Sequence, residues 1–191
     1  MTADHIGLTP EVQEQYPGPY YEAHTNLAWL AAQTRTILLG TTVVVVPMRH
    51  PIYGAQLVAN VDQLSGGRFI FGVGVGWAKS EFDALGIPFE QRGPMTDDYI
   101  AAMKALWTGD TVSYHGQHVS FEDVEVSPKP FQKPHPPIWV GGNSGPAIRR
   151  AARVGDAWHP IAVRVDWLRD RSMPRLRQHS EENGRPTPAL C

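Results

Sequence analysis

Four apolar runs, each followed by a helix-length segment, constrain this chain more than any other feature. Thr36 to Pro47 (TILLGTTVVVVP) and Arg68 to Val75 (RFIFGVGV) are continuous and rich in β-branched and aromatic residues. Such runs mark strands covered on both faces. Pro137 to Gly141 and the short Ala157 to Ile161 read the same way. Between them lie helical patterns. Asn26 to Thr34 places Leu27, Leu30 and Ala31 on one face. Pro51 opens a helix at a first-turn position, and Gly66-Gly67 stops it. Met95 to Thr108 is expected to start near Thr96 with Asp97 and Asp98 in its first turn, as ordinary helix charges. Pro146 to Val154 and Val165 to Glu182 follow, the last interrupted at Pro174. Residues 1–21 and 77–93 read as irregular, and 111–126 as a polar-faced hairpin.

Covered strands alternating with helices predict a parallel sheet. Two architectures remain open on this pattern, the doubly wound sheet and the (β/α)8 barrel. In both, ligands sit at the carboxyl ends of the strands. Here those ends are Pro47-Met48-Arg49-His50, Gly76-Trp77, Gly142-Asn143-Ser144 and His159-Pro160.

The stretch FGVGVGW tests the nucleotide-binding possibility. A dinucleotide fingerprint needs G-x-G-x-x-G, whereas Gly72, Gly74 and Gly76 are spaced by two and the sixth position is Trp77. The fingerprint is rejected. Glycines at alternate strand positions strip one face of side chains, which implies close approach by something else. The run IWVGGNSGP is sharper: a strand enters glycines and then a helix marked by Ser144 or Gly145 and by Pro146. Free N–H groups and the helix dipole make such a turn a candidate anion site, with a ligand-free tight turn as the alternative.

Several chemistries have no support. The net charge is −2 with signs mixed throughout, so nothing argues for nucleic acid or an anionic membrane. The longest apolar run is too short to span a bilayer. Cys191 is the single cysteine, which leaves no disulfide framework or thiolate metal site, and a cytoplasmic setting is expected. No H-x-x-x-H occurs, and neither Ser65 nor Ser144 lies in a G-x-S-x-G elbow. His115 and His118 flank the hairpin turn and read as surface residues.

Taken together, TADHI, ILLGTTVVVVPMRHPIYGAQLVANVDQLSGGRFIFGVGVGW, EFDALG, KALWTG, VEVSPKPFQKPHPPIWVGGNS and GDAWHP resemble the luciferase-like monooxygenase superfamily. Its branch of oxidoreductases that use coenzyme F-420, a deazaflavin, is the nearest in pattern. The resemblance runs in order from residue 2 to about 170. It implies a bacterial-luciferase-type TIM barrel, present here in part as one domain over residues 1–191, from the end of the second strand to the start of the seventh. A hairpin excursion occupies about 110–130. The implied activity is hydride transfer between a small organic substrate and coenzyme F-420. The alternatives are a monooxygenase using reduced FMN and a non-catalytic remnant. A homodimer is common in the family.

The resemblance also assigns positions. His5, with Asp4 beside it, would face the reactive edge of the ring and stabilise charge or shuttle a proton. The Thr42–Val43 bond would be a non-prolyl cis peptide bulging against the ring. Gly76, Trp77 and Ser80 would line the ring. Trp77 stands where the sugar-phosphate dehydrogenase branch has an acid, so that substrate is not implied. Gly141, Gly142 and Asn143 would receive the cofactor phosphate, and His159 would line the pocket.

Overall fold

The computed structural model describes residues 1–191. Thr9 accepts a hydrogen bond from the Val12 N–H and Pro10 sits in the first turn, so the opening segment is not all loop: it carries α1 (Pro10–Gln15). Then follow α2 (Ala23–Gln33), β1 (Leu39–Gly40), β2 (Val44–Val45), α3 (Pro51–Ser65), β3 (Phe69–Gly74), α4 (Lys79–Ala84) and α5 (Arg92–Thr108). The hairpin β4 (Val112–His115) and β5 (Ser120–Val124) precedes β6 (Ile138–Gly141), α6 (Gly145–Val154) and β7 (Ala157–His159). The chain closes with α7 (Val165–Trp167), α8 (Met173–Glu182) and β8 (Ala189–Leu190).

Strand order decides between the two architectures. β1 and β2 both pair with β3, which pairs with β6, then β7, then β8, all in parallel. Thr2 adds a parallel bridge to Thr41 on the outer side of β1. The strands thus lie side by side in the order in which the chain makes them. A doubly wound sheet reverses direction at a switch point; a barrel does not. This is part of a parallel (β/α) barrel, open at the Thr2 and β8 edges, with the β4–β5 hairpin off the sheet.

The core lies where α3 and α5 cover β3 and β6. Val58 and Ala59, Ile100 and Leu106, Phe69 and Phe71, and Ile138 are at most 1% exposed. Each large side chain among them contributes roughly 1.5–3 kcal/mol by leaving water. Arg68 ties this layer together at the other end of the sheet, donating to the Ala31, Thr34 and Ser65 carbonyls and so capping both α2 and α3. No helix is long and apolar enough to cross a membrane.

Beyond α1, the structure departs from the sequence expectations in four further places. The run Thr36–Pro47 is not one strand but two short pieces around a bulge. Gly40 pairs with Ile70 and Val44 with Val73, so four steps along one strand face three along the other. The extra residue falls in Thr41–Val43, and the Thr42–Val43 peptide is cis. The bare face of β3 receives this bulge. A Cβ on Gly72 would collide with the Thr41 carbonyl oxygen, and one on Gly74 with the Val43 side chain. Stretch 77–93 contains α4. Helix α5 begins at Arg92, and the Thr96 hydroxyl donates back to the Arg92 carbonyl inside the helix rather than capping it. Finally, the last helix is broken ahead of Pro174 by a π-helical turn, Leu168–Ser172.

Candidate active site at the strand ends

A cleft of about 520 Å³ opens beside the carboxyl ends of the Thr2 segment and β2, lined by Asp4, His5, Tyr20, Met48, His50 and Tyr53 among others. His5 is its best-placed chemical group. Its ring meets Tyr20 at 4.9 Å, Trp77 at 6.0 Å and Tyr16 at 6.1 Å between centroids. Its Nδ1 lies 2.9 Å from Oε2 of Glu81, a residue 3% exposed on α4. The other oxygen of Glu81 accepts the N–H groups of Ile6, at 3.0 Å, and Gly7, at 3.4 Å.

Sequence reasoning missed Glu81. The signal available was an acid in the first turn of a helix just past a strand end, in SEF. Ser80, expected at the ring, turns away from that role. Its hydroxyl donates to Glu11 at 2.6 Å, its N–H donates to the same carboxylate, and the Thr9 hydroxyl in turn donates to Ser80. Ser80 and Glu81 therefore fasten residues 5–11 to the start of α4.

Asp4 is likewise occupied. Both carboxylate oxygens accept from Arg49 at 2.7 Å, and Oδ2 also accepts the Val45 N–H at 2.9 Å. The pair is buried, with side-chain exposures of 6% for Arg49 and 1% for Asp4. Asp4 makes no hydrogen bond to His5. Arg49 reaches on to Glu22, which caps α2 by accepting from the Thr25 N–H and takes a further bond from His24 Nδ1. Burial pushes the Glu22 pKa up, but the hydrogen bonds from His24 and Thr25 outweigh it and hold the carboxyl well below its ordinary 4.5. A depressed folded-state pKa supplies stability above the unfolded value and loses it as pH falls. The stability advantage of the native chain over a Glu22→Gln variant is expected to be full near neutrality and to shrink below about pH 4.5. Chemical denaturation of both at a series of pH values measures this; a pH-independent gap would remove Glu22 from the account.

On the other side of the bulge, Thr42 Oγ1 lies 2.9 Å from His159 Nε2, and His159 Nδ1 lies 3.3 Å from the main-chain oxygen of Cys191. That oxygen accepts, so Nδ1 is the donor, and in the neutral ring Nε2 accepts from Thr42. The His159 carbonyl takes the Gly142 N–H at 3.2 Å. These bonds join the bulge to the glycine turn. In that turn Ser144 caps α6 through the Ala147 N–H. Gly142 has φ +107°, which side chains rarely adopt, and Gly141 is kept bare by Val43 Cγ1, 2.7 Å from where a Cβ would be. The Asn143 side chain is spent on a two-way clamp to the Ile161 backbone, at 2.6 and 2.9 Å. The N–H groups of Asn143, Ser144 and Gly145 donate to no group of the protein and stand at the N-terminus of α6, where the helix dipole favours negative charge.

The structure thus places His5 and Trp77 in one aromatic cluster, and Thr42, His159 and Gly142 in one hydrogen-bonded run. Gly76 packs against Phe82 and Val45 below Trp77. Asp4, Ser80 and the Asn143 side chain serve the scaffold instead.

A family model described as luciferase-like monooxygenase matches residues 3–190. An FMNH(2)-dependent dimethylsulfone monooxygenase of Pseudomonas putida is 41% identical over 112 residues, 57% of this chain and 31% of that protein. The crystal structure of monooxygenase RslO1 from Streptomyces bottropensis superposes with a TM-score of 0.78 at 27% identity, covering 90% of this chain and 51% of that one. The coenzyme F420 dependent tetrahydromethanopterin reductase of Methanopyrus kandleri gives 0.77 at 23% identity, 87% of this chain and 51% of that one, a likeness of fold. The chain spans from a third to about a half of these relatives. With the family model matching nearly the whole length, the chain belongs to the luciferase-like monooxygenases.

Proposed function

We propose that this chain carries the ring-side and phosphate-side groups of an oxidoreductase that transfers a hydride between a small organic substrate and coenzyme F-420. The observation that carries this is the pairing, on one strand-end rim, of an oriented histidine beside a cleft with a glycine turn whose N–H groups are free. The residues fit a flavin-like group in both respects. Gly142 adopts φ +107° and carries no side chain, so none from that position covers the free N–H groups that follow it. Tyr20 and Tyr53 give the His5 cleft aromatic walls suited to a flat molecule.

A bound deazaflavin would supply the hydride chemistry that no side chain provides. The chain's own part is to bind and orient. Asn143, Ser144 and Gly145 would take the phosphate on their N–H groups. Thr42 and Val43 present the bulge toward the rim, Gly76 and Trp77 continue it, and Trp77, Tyr16 and Tyr20 limit water around His5. His5 Nε2 would accept, or return, the proton that accompanies hydride transfer at the substrate. Asp4 acts as a positioning residue, fixing the segment that carries His5 against β2.

A second reading, a monooxygenase that uses reduced FMN, is favoured by the dimethylsulfone monooxygenase relative. Fluorescence titration of the purified chain with oxidised coenzyme F-420 and, in parallel, FMN separates the two. Saturable micromolar binding of F-420 without FMN is the expected result. Binding of FMN alone would transfer the reading to the monooxygenases. A folded chain that binds neither would leave these 191 residues non-catalytic by themselves.

A further inference from the structure

We infer that Glu81 is the positioning residue for His5, and that it fixes the imidazole in the tautomer with its proton on Nδ1, so that Nε2 is presented to the cleft as a hydrogen-bond acceptor. The geometry is closed on one side. A carboxylate accepts and cannot donate, so the Nδ1 atom 2.9 Å from Glu81 Oε2 must bear hydrogen. Glu81 is itself fixed, because Oε1 is held by the Ile6 and Gly7 N–H groups and the side chain is 2% exposed. His5 Nε2 has no partner in the protein. The ring cannot flip without leaving Glu81, and Tyr20 and Trp77 flank it edge-on. An acid at strand-end depth with all its donors supplied by one neighbouring segment is a holder of that segment, and the imidazole is the only one of the three donors able to do proton chemistry.

The same census makes a sharp prediction for Glu81→Gln. Three donors point at the carboxylate, whereas the amide has one acceptor oxygen and an NH₂. Two backbone N–H groups meet at Oε1, and they hold the amide oxygen there. The NH₂ then faces His5 Nδ1, which must become the acceptor and send its proton to Nε2. The predicted effect is an inverted tautomer at nearly unchanged shape, with Nε2 now a donor toward the cleft.

The test is a long-range ¹H–¹⁵N correlation spectrum of the full 191-residue chain with ¹⁵N-labelled histidine, at a pH where His5 is neutral, with His5 assigned by its loss in His5→Gln. The expected result is a dominant Nδ1–H form in the native chain, falling to the minor form in Glu81→Gln. A native His5 that is mainly Nε2–H, or an average of both tautomers, overturns the inference, and this holds even if the variant fails to fold. An unchanged tautomer in a folded Glu81→Gln chain also overturns it. The role of the tautomer in catalysis rests on the function proposed above, but the spectrum needs no cofactor. A failed F-420 titration with an Nδ1–H histidine would therefore discard the function and keep the Glu81 assignment.

Discussion

Arg49→Met is expected to destabilise the chain by about 3–5 kcal/mol, because it leaves the Asp4 carboxylate buried without its cation. The native pair is doubly hydrogen-bonded at 2.7 Å, and Asp4 would retain only the Val45 N–H. Burial works against the Arg49 charge, yet Asp4 and Glu22 together raise its pKa above the ordinary value, so the guanidinium is charged at any working pH. A loss of this size is a large fraction of the 5–15 kcal/mol that roughly bounds a domain's stability. The cause can be isolated. Converting Asp4 to Asn in the Arg49→Met background removes the stranded charge, and the double variant should recover about half of the loss. Urea denaturation of the native chain, both single variants and the double variant measures the coupling. Strictly additive losses would mean that the ion pair is incidental and that Arg49 acts by packing alone.

Gly72→Ala should have an effect of similar size from a different cause. The new methyl would lie on the Thr41 carbonyl oxygen, which is backbone and held by a bulge, so it has no rotamer into which to withdraw. Thr41 also returns its hydroxyl to the Gly72 carbonyl at 2.7 Å, locking the two strands face to face. Overpacking at a flexible contact costs roughly 1–3 kcal/mol, and the backbone contact here places Gly72→Ala at or above the top of that range. Alanine at Gly7, where a Cβ meets nothing and the backbone is not left-handed, is the control for general loss of a glycine. If the urea midpoint of Gly72→Ala falls no further than that of Gly7→Ala, the close approach does not govern stability.

The alternation of strands and helices was legible because covered strands and amphipathic helices differ in period, and the Ser144-Gly145-Pro146 start of α6 because capping is local. Bulge and partners were not. An apolar run such as TTVVVVP has the same composition whether its register is regular or shifted by one, so Thr36–Pro47 read as a single strand. The glycines of FGVGVGW announced a close approach, but the approaching group lies 31 residues upstream. Asp97 and Asp98 looked like ordinary first-turn charges. In the structure Asp97 pairs with Arg150 and Arg153, and Asp98 takes the Tyr114 hydroxyl at 2.7 Å and the His118 N–H at 2.6 Å, carrying the hairpin on α5. At the site, His5 was legible through the family resemblance, whereas Glu81, which orients it, and Arg49, which occupies Asp4, are partners 76 and 45 positions away. Only folding brings such pairs together.

The bulge has one more consequence, for how sequences of this kind can diverge. Val43 sends its methyl groups into the space left by Gly74 on one strand and Gly141 on the next. The three positions share one fixed volume in a close-packed interior. A methyl gained at 74 or 141 has to be given up at 43, so single substitutions there meet a barrier that paired ones avoid. Val43→Ala together with Gly74→Ala and Gly141→Ala, two methyls lost and two gained, is the exchange that keeps the sum, and relatives that change one of these positions should be found to have moved through another.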